Sequence, residues 1–222
     1  MTKLPVLDGP GLGPVGGGAP GKLVIFVHGL GADGNDLIGL APYFQKILPD
    51  ALFISPNAPY SFDMAPTGYQ WFSLNDFGPE NRLKGTRSSA PILDAFIDAQ
   101  LKKYNLSEDK LALIGFSQGT TMSLYVGLRR AKRLAGILGY SGLLVGGESP
   151  ENEIKSRPPV LLVHGDRDQI IPVQALAEAV DGLAAVGIKA ASHVCRGLGH
   201  GIDDEGLRLG MEFIAEIFDI AL

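Results

Sequence analysis

The sequence predicts a three-layer α/β sandwich: a mostly parallel central sheet flanked by helices. Three observations carry the prediction. Short apolar runs recur along the 222 residues, as strands buried on both faces require. Segments with apolar residues three and four apart lie between them, the spacing of an amphipathic helix. One apolar run ends in Gly-Phe-Ser-Gln-Gly, a turn that joins a strand to a helix in sheets of this kind.

Residues 1–21 are rich in glycine and proline and read as a mobile or meandering N-terminal arm. A single domain is expected over 22–222. Its first strand is 23–27, closed by Gly29. Further strands are expected at 51–55, 111–115, 134–140 and 160–163, with a mixed one at 189–194. Leu37, Leu40, Ala41, Phe44 and Leu48 keep helical spacing, as do Ile92, Leu93, Phe96, Ile97 and Leu101. Pro172 is placed to open a helix carrying Leu176, Val180 and Leu183. Leu207, Met211, Ile214 and Phe218 define the last helix, after Asp203, Asp204 and Glu205, whose charges suit a helix N-terminus. Residues 55–80 break the rhythm, with four prolines, no clear period and the only tryptophan, Trp71. A connection this long reads as a functional loop or a small satellite core. No separate apolar helix is available as a large lid, and 139–150 reads as a short glycine-rich loop.

Composition narrows the classes. Hydrophobic residues are 45% and charged residues 19%, which excludes a disordered chain. A net charge of −5 provides no general attraction to nucleic acid. The basic cluster Arg129, Arg130, Lys132 and Arg133 follows a helical run and reads as a complement to the helix C-terminus. A single cysteine, Cys195, excludes an intramolecular disulfide and is expected to be packed in a strand. No cysteine/histidine cluster with zinc spacing is recognised, so no metal is expected. The first 22 residues lack the apolar core of a signal peptide, and no apolar run is long enough to span a membrane. A cytoplasmic protein without stable membrane insertion is expected.

Gly115-Phe116-Ser117-Gln118-Gly119 supplies the chemistry. Small residues two positions either side of the serine relieve a tight, strained turn that lifts the hydroxyl above the sheet. A serine hydroxyl is a weak nucleophile near neutral pH and needs a base, and the base needs an orienting acid. In this turn's usual context the chain order is serine, acid, histidine. His28 and His164 precede any suitable acid, and His193 lies inside a strand-like run. His200, in the loop 197–201, remains as base. Asp168, after the strand at 160–163, is favoured as the acid over Asp166, which suits bonding to turn amides. A tetrahedral oxyanion needs two donors. The N–H of Gln118 and that of Leu30, in the glycine-containing loop after the first strand, are the candidates.

These residues sit in longer stretches: HGLGADGND at 28–36, SPNAPY at 55–60, YQWFSL at 69–74, YSG at 140–142, HGDRDQIIP at 164–172 and GLGHGI at 197–202. With GFSQG they resemble the phospholipase/carboxylesterase family of α/β-hydrolases, which includes bacterial carboxylesterases and acyl-protein thioesterases. The resemblance implies an α/β-hydrolase fold, a triad of Ser117, Asp168 and His200, and oxyanion donors at Leu30 and Gln118. It also implies Trp71 near the pocket and, since relatives are often dimers, a homodimer. Leu143 and Leu144 are expected to add to the substrate wall. Two departures stand out: Gln169 where the family usually has proline, and Thr120-Thr121 where small residues are common. The expected protein is a cofactor-free serine esterase for small-molecule esters of short to medium chain. The alternatives are a thioesterase or lysophospholipase for long acyl chains, and a non-catalytic small-molecule binder.

Overall fold

The computed structural model describes residues 4–74, 78–146 and 153–221. Every expected strand is present: β2 (Lys22–Val27), β3 (Ala51–Ile54), β6 (Leu111–Phe116), β7 (Gly136–Tyr140), β8 (Val160–Gly165) and β9 (Ala190–Cys195). Together with β1 (Gly11–Leu12) they form a seven-stranded sheet in the order β1-β3-β2-β6-β7-β8-β9. Only β1 runs antiparallel, beside β3; the other pairings are parallel. The N-terminal arm thus adds an edge strand, through residues too few and too glycine-rich to show a strand period.

Alternation along β2 explains the two buried layers. Leu23, Ile25 and Val27 face α3 (Pro79–Tyr104) and α4 (Gln118–Arg129), where they meet Leu93, Ile97, Met122 and Val126. Val24 and Phe26 face the opposite layer, meeting Phe44 of α2 (Ala41–Gln45) and Ile214 of α6 (Asp204–Ile217). A third cluster joins Leu124 and Leu128 to Leu176 and Leu183 of α5 (Gln174–Ala185), over β7 and β8. Each fully enclosed large side chain contributes roughly 1.5–3 kcal/mol through burial.

Two expectations change. The helical spacing at 37–48 is shared between α1 (Gly34–Ile38) and α2, because Gly39 falls at the break and Pro42 opens the second helix. Residues 55–80 are not a structureless loop: β4 (Tyr60–Ser61) pairs antiparallel with β5 (Tyr69–Gln70), and α3 already starts at Pro79. Two-residue strands are too short to show alternation. Part of this segment, 75–77, and part of the expected loop 139–150, from 147 on, lie outside the described residues.

The basic cluster at the end of α4 is engaged by carboxylates. Arg129 lies 2.9 Å from Glu153, and Arg130 reaches Asp98 at 2.6 Å as well as Asp94. Among the described residues no helix is long and apolar enough to cross a membrane.

Chain direction positions the site. From β2 the chain moves to β3 on one side, and later to β6 on the other. Such a reversal of strand order opens a crevice at the C-terminal ends of the two central strands. The Leu30 loop follows β2 and Ser117 follows β6, and these strands are in register, Val27 beside Gly115.

Candidate active site

Ser117 occupies the turn between β6 and α4 with φ 54° and ψ −118°. That conformation costs about 1–3 kcal/mol for a residue with a side chain, so the surroundings must impose it. They do so through Ser117 N–H, which donates to Tyr140 O at 2.9 Å, and through steric necessity on both sides. A Cβ on Gly119 would lie 1.7 Å from the Val27 carbonyl oxygen; one on Gly115 would lie 2.5 Å from Thr120 N. The threonines that depart from the family pattern also brace the turn. Thr120 Oγ1 donates to Tyr140 O at 2.8 Å, and Thr121 Oγ1 accepts from Leu143 N at 3.4 Å.

Gln118 is the first residue of α4, where a backbone N–H has no partner within the helix. In the loop after β2, Gly31 N–H donates to Tyr69 O at 2.8 Å and Ala32 N–H to Gly29 O at 3.4 Å. Leu30 N–H has no such partner among the described residues. Tyr69 N–H returns a bond to Ala32 O at 2.8 Å, so β5 clamps the loop.

The loop is fixed from behind by a chain of buried polar groups. His28 Nδ1–H donates to Gly29 O at 2.7 Å, and its Nε2 accepts from Ala58 N–H at 2.9 Å. Burial holds its pKa below the usual histidine value, outweighing the Gly29 carbonyl and the charges of Asp33 and Asp36, and this suits the neutral ring. Trp71 Nε1–H donates to His28 O at 3.1 Å. The Gln118 side chain accepts from Trp71 N–H at 2.8 Å and donates to Phe72 O at 2.9 Å. None of these side-chain bonds was evident from spacing; those made by Trp71 and Gln118 join residues more than 40 positions apart.

Asp168 and His200 come together as expected, with His200 Nδ1 2.7 Å from Asp168 Oδ2. The N–H groups of Ile170 and Ile171 each donate to Asp168 Oδ1 at 2.9 Å. His164 Nε2–H donates to Ile171 O at 2.9 Å and lies 3.3 Å from Asp168 Oδ2. His164, set aside as base because it precedes the acid in the chain, thus stands beside that acid, a placement its position in the sequence did not reveal. Burial is the largest influence on the Asp168 carboxyl and raises its pKa. The bonds from His200, Ile171 and Ile170, with the His200 charge, outweigh it and hold the group below the ordinary aspartate value. Asp166 instead accepts from Gly197 N–H at 2.6 Å, a turn-amide bond. Two backbone bonds, Asp166 N–H to Cys195 O and Arg167 N–H to Leu198 O, tie the acid loop to the histidine loop. The His200 ring packs on Phe116, next to Ser117, with centroids 4.9 Å apart.

The three expected wall residues fare differently. Trp71 is fully enclosed and cannot line a pocket; its indole N–H found an internal acceptor instead. Leu144 turns toward α5, where its Cδ2 would meet a Cβ on Gly182 at 2.7 Å, and packs in the third cluster. Leu143 is half-buried beside Thr121. An open cleft of about 470 Å³ lies against the Leu30 loop, lined by Leu30, Gly31, Asp33, Asp36, Thr67 and Gly68. Cys195 is enclosed as expected; burial, then Asp203, pushes its thiol up to about 12.

A parallel sheet with a strained serine between a central strand and its helix, and an Asp–His pair on the loops beyond β8 and β9, defines an α/β hydrolase. The sequence profile of the phospholipase/carboxylesterase family matches residues 16–218. The chain therefore belongs to the phospholipase/carboxylesterase family and is a carboxylic ester hydrolase. It is 30% identical to acyl-protein thioesterase 1 homolog 1 of Dictyostelium discoideum, over 87% of this chain and 89% of that one. It is 32% identical to acyl-protein thioesterase 1 of Schizosaccharomyces pombe, over 86% and 88%. Among solved structures, esterase PE8 superposes with a TM-score of 0.91 at 42% identity, covering 96% of this chain and 99% of that one. Arabidopsis thaliana SOBER1 shares the fold, with a TM-score of 0.80 at 22% identity, covering 89% and 99%.

Proposed function

We propose that the protein is a cytoplasmic serine carboxylesterase that hydrolyses short- to medium-chain esters through an acyl-enzyme on Ser117. The supporting observation is the 2.7 Å Asp168–His200 bond, with the imidazole seated on Phe116 beside the strained serine. Ser117 attacks the ester carbonyl while His200 Nε2 takes the hydroxyl proton. Asp168, bonded to Nδ1–H, sets the tautomer and stabilises the imidazolium. The N–H groups of Leu30 and Gln118 receive the oxyanion. His200 then protonates the departing alcohol, activates a water and returns the serine.

A preference for short acyl groups is part of this reading: the open cleft beside Leu30 is walled largely by Asp33, Asp36 and Thr67, and gives a long acyl chain little apolar surface. Each methylene buried against a wall contributes about 0.8 kcal/mol, and an open cleft offers wall for only the first few. A panel of p-nitrophenyl esters with graded acyl length tests the reading: kcat/KM should peak at about C4 to C8 and fall by C16. A specificity that climbs through C16, or acyl-thioesters turned over faster than matched esters, would favour the second reading, a thioesterase, which the names of the curated relatives suggest. Fluorophosphonate labelling at Ser117 separates both from a non-catalytic binder. Self-association as a homodimer is part of the proposal; light scattering giving 23.5 kDa at micromolar concentration would reject it.

A further inference from the structure

We propose that His193, Cys195 and Glu205 form a site for a borderline-soft divalent metal ion of the Zn²⁺ class. The ion would staple together the two ends of the segment that carries His200. No zinc spacing is apparent in the sequence because the third ligand comes from another element. His193 and Cys195, two apart on β9, leave the strand on the same face. Cys195 belongs to the cluster that packs against α6, and Glu205 lies in the first turn of that helix.

The three donor atoms lie within 4.8 Å of one another. Ligands around a tetrahedral zinc ion, at about 2.0–2.3 Å from it, stand roughly 3.3–3.8 Å apart. Small rotations close the difference, since the His193 and Glu205 side chains are 35% and 48% exposed. That exposure also leaves room for water as a fourth ligand.

A second observation points to a cation. His193 Nε2 is shielded from solvent and makes no hydrogen bond, although Glu205 Oε1 is only 3.1 Å away. The ring nitrogen and the carboxylate oxygen converge there without hydrogen-bond geometry; with the ring proton on Nδ1, an ion held between them would satisfy both. The positive end of α6 does not oppose it, because Asp203, Asp204 and Glu205 already offset that end. Sulfur and imidazole set the preference, favouring Zn²⁺, Co²⁺ or Cd²⁺ over Mg²⁺ or Ca²⁺. On binding, the Cys195 S–H bond, which faces the Asp203 carboxylate, breaks, the proton passes by way of that carboxylate to solvent, and Sγ bonds the ion; nothing is oxidised or reduced.

The consequence is mechanical. Cys195 ends β9 and Glu205 lies in the first turn of α6, so the ion joins the two ends of the loop that presents His200. The test uses the full chain, first treated with a chelator. Cd²⁺ should produce an ultraviolet thiolate-to-metal charge-transfer band that saturates at one equivalent. Zn²⁺ at about a hundredfold over its Kd should raise Tm by roughly 5–10 °C, and Mg²⁺ should not. His193→Ala and Glu205→Gln should each weaken Cd²⁺ binding at least about tenfold. His200→Ala should leave the band intact, which separates this site from metal on the active-site imidazole. Absence of the band in the native protein overturns the proposal. So does a band, or a Zn²⁺ shift, that survives unchanged in His193→Ala, since the ion would then rest on sulfur alone. Should Cys195→Ser fail to fold, the two surface variants still decide. None of these readouts uses ester hydrolysis, so the proposed activity stands or falls separately.

Discussion

Trp71 donates its indole N–H to the carbonyl of His28, 43 positions earlier, at 3.1 Å. The bond fastens the backbone immediately before Leu30, so a side chain that never meets solvent controls where an oxyanion donor sits. Trp71→Phe keeps most of the packing and removes the donor, leaving the His28 carbonyl buried without it. Stability should fall by about 1–3 kcal/mol in urea unfolding. Because the loop loosens, kcat should fall several-fold more than KM rises. Unchanged kcat at reduced stability would assign Trp71 to packing alone.

Ser117 carries strain that its chemistry requires. Ser117→Ala should lower kcat by roughly 10³–10⁶ with the fold retained, as the covalent route is lost. Ser117→Gly should be equally inactive but more stable than the alanine variant by about 1 kcal/mol, because glycine accepts a positive φ without penalty. Equal stability of the two variants would argue against a strained elbow.

The two aspartates after β8 should separate cleanly. Asp168→Asn removes the partner that sets the imidazole tautomer and should reduce kcat about 10²–10⁴-fold. Asp166→Asn weakens one turn-amide bond and should cost roughly 1 kcal/mol of stability with kcat kept within a few-fold. A crippled Asp166→Asn enzyme beside an active Asp168→Asn one would reverse the assignment.

Acid should destabilise the protein partly through Asp168. Its folded pKa lies below the ordinary value, so its contribution is fully present above about pH 4, where the unfolded carboxyl is ionised, and is lost as pH falls through the folded value. Asp168→Asn should therefore show a shallower loss of stability below pH 4 than the native protein in pH-dependent unfolding; an identical acid limb would remove Asp168 from that account.

Gly119 leaves no room for substitution. Even Gly119→Ala places a methyl group 1.7 Å from the Val27 carbonyl oxygen, on the backbone of the neighbouring strand. Either α4 backs away from β2 or the turn opens. A loss of more than about 4 kcal/mol or failure to fold is expected, with activity abolished. A soluble, active Gly119→Ala enzyme would show that the elbow is not held by β2.

The legible parts of this protein were those encoded locally. Continuous apolar runs marked β2, β3 and β6–β8 because parallel strands are buried on both faces, whereas the mixed run of β9 belongs to a largely exposed edge strand. Gly115 and Gly119 flanked Ser117 because the turn is crowded on both sides, and His200 stood out because it alone followed the acid in a loop between strand and helix. What stayed hidden depends on distance along the chain. Trp71 looked like a pocket residue since an isolated tryptophan in an irregular stretch gives no sign of where its N–H points. Leu144 looked exposed to the cleft until the bare surface of Gly182 gave it a place to pack. The β4–β5 hairpin contains too few residues for any period to emerge.

Only β7 separates β6, which delivers Ser117, from β8, which delivers Asp168. Adjacent strands lie about 4.8 Å apart, so the carriers of nucleophile and acid are held roughly 10 Å from each other by main-chain bonding. The gap to be bridged by the imidazole is therefore measured in strands and not in side chains. Point substitutions can reshape the cleft and retune its preferences, yet that spacing stays constant unless a whole strand is gained or lost. β7 serves as a ruler, supplying no reactive group of its own while fixing the dimension on which the proposed proton relay depends.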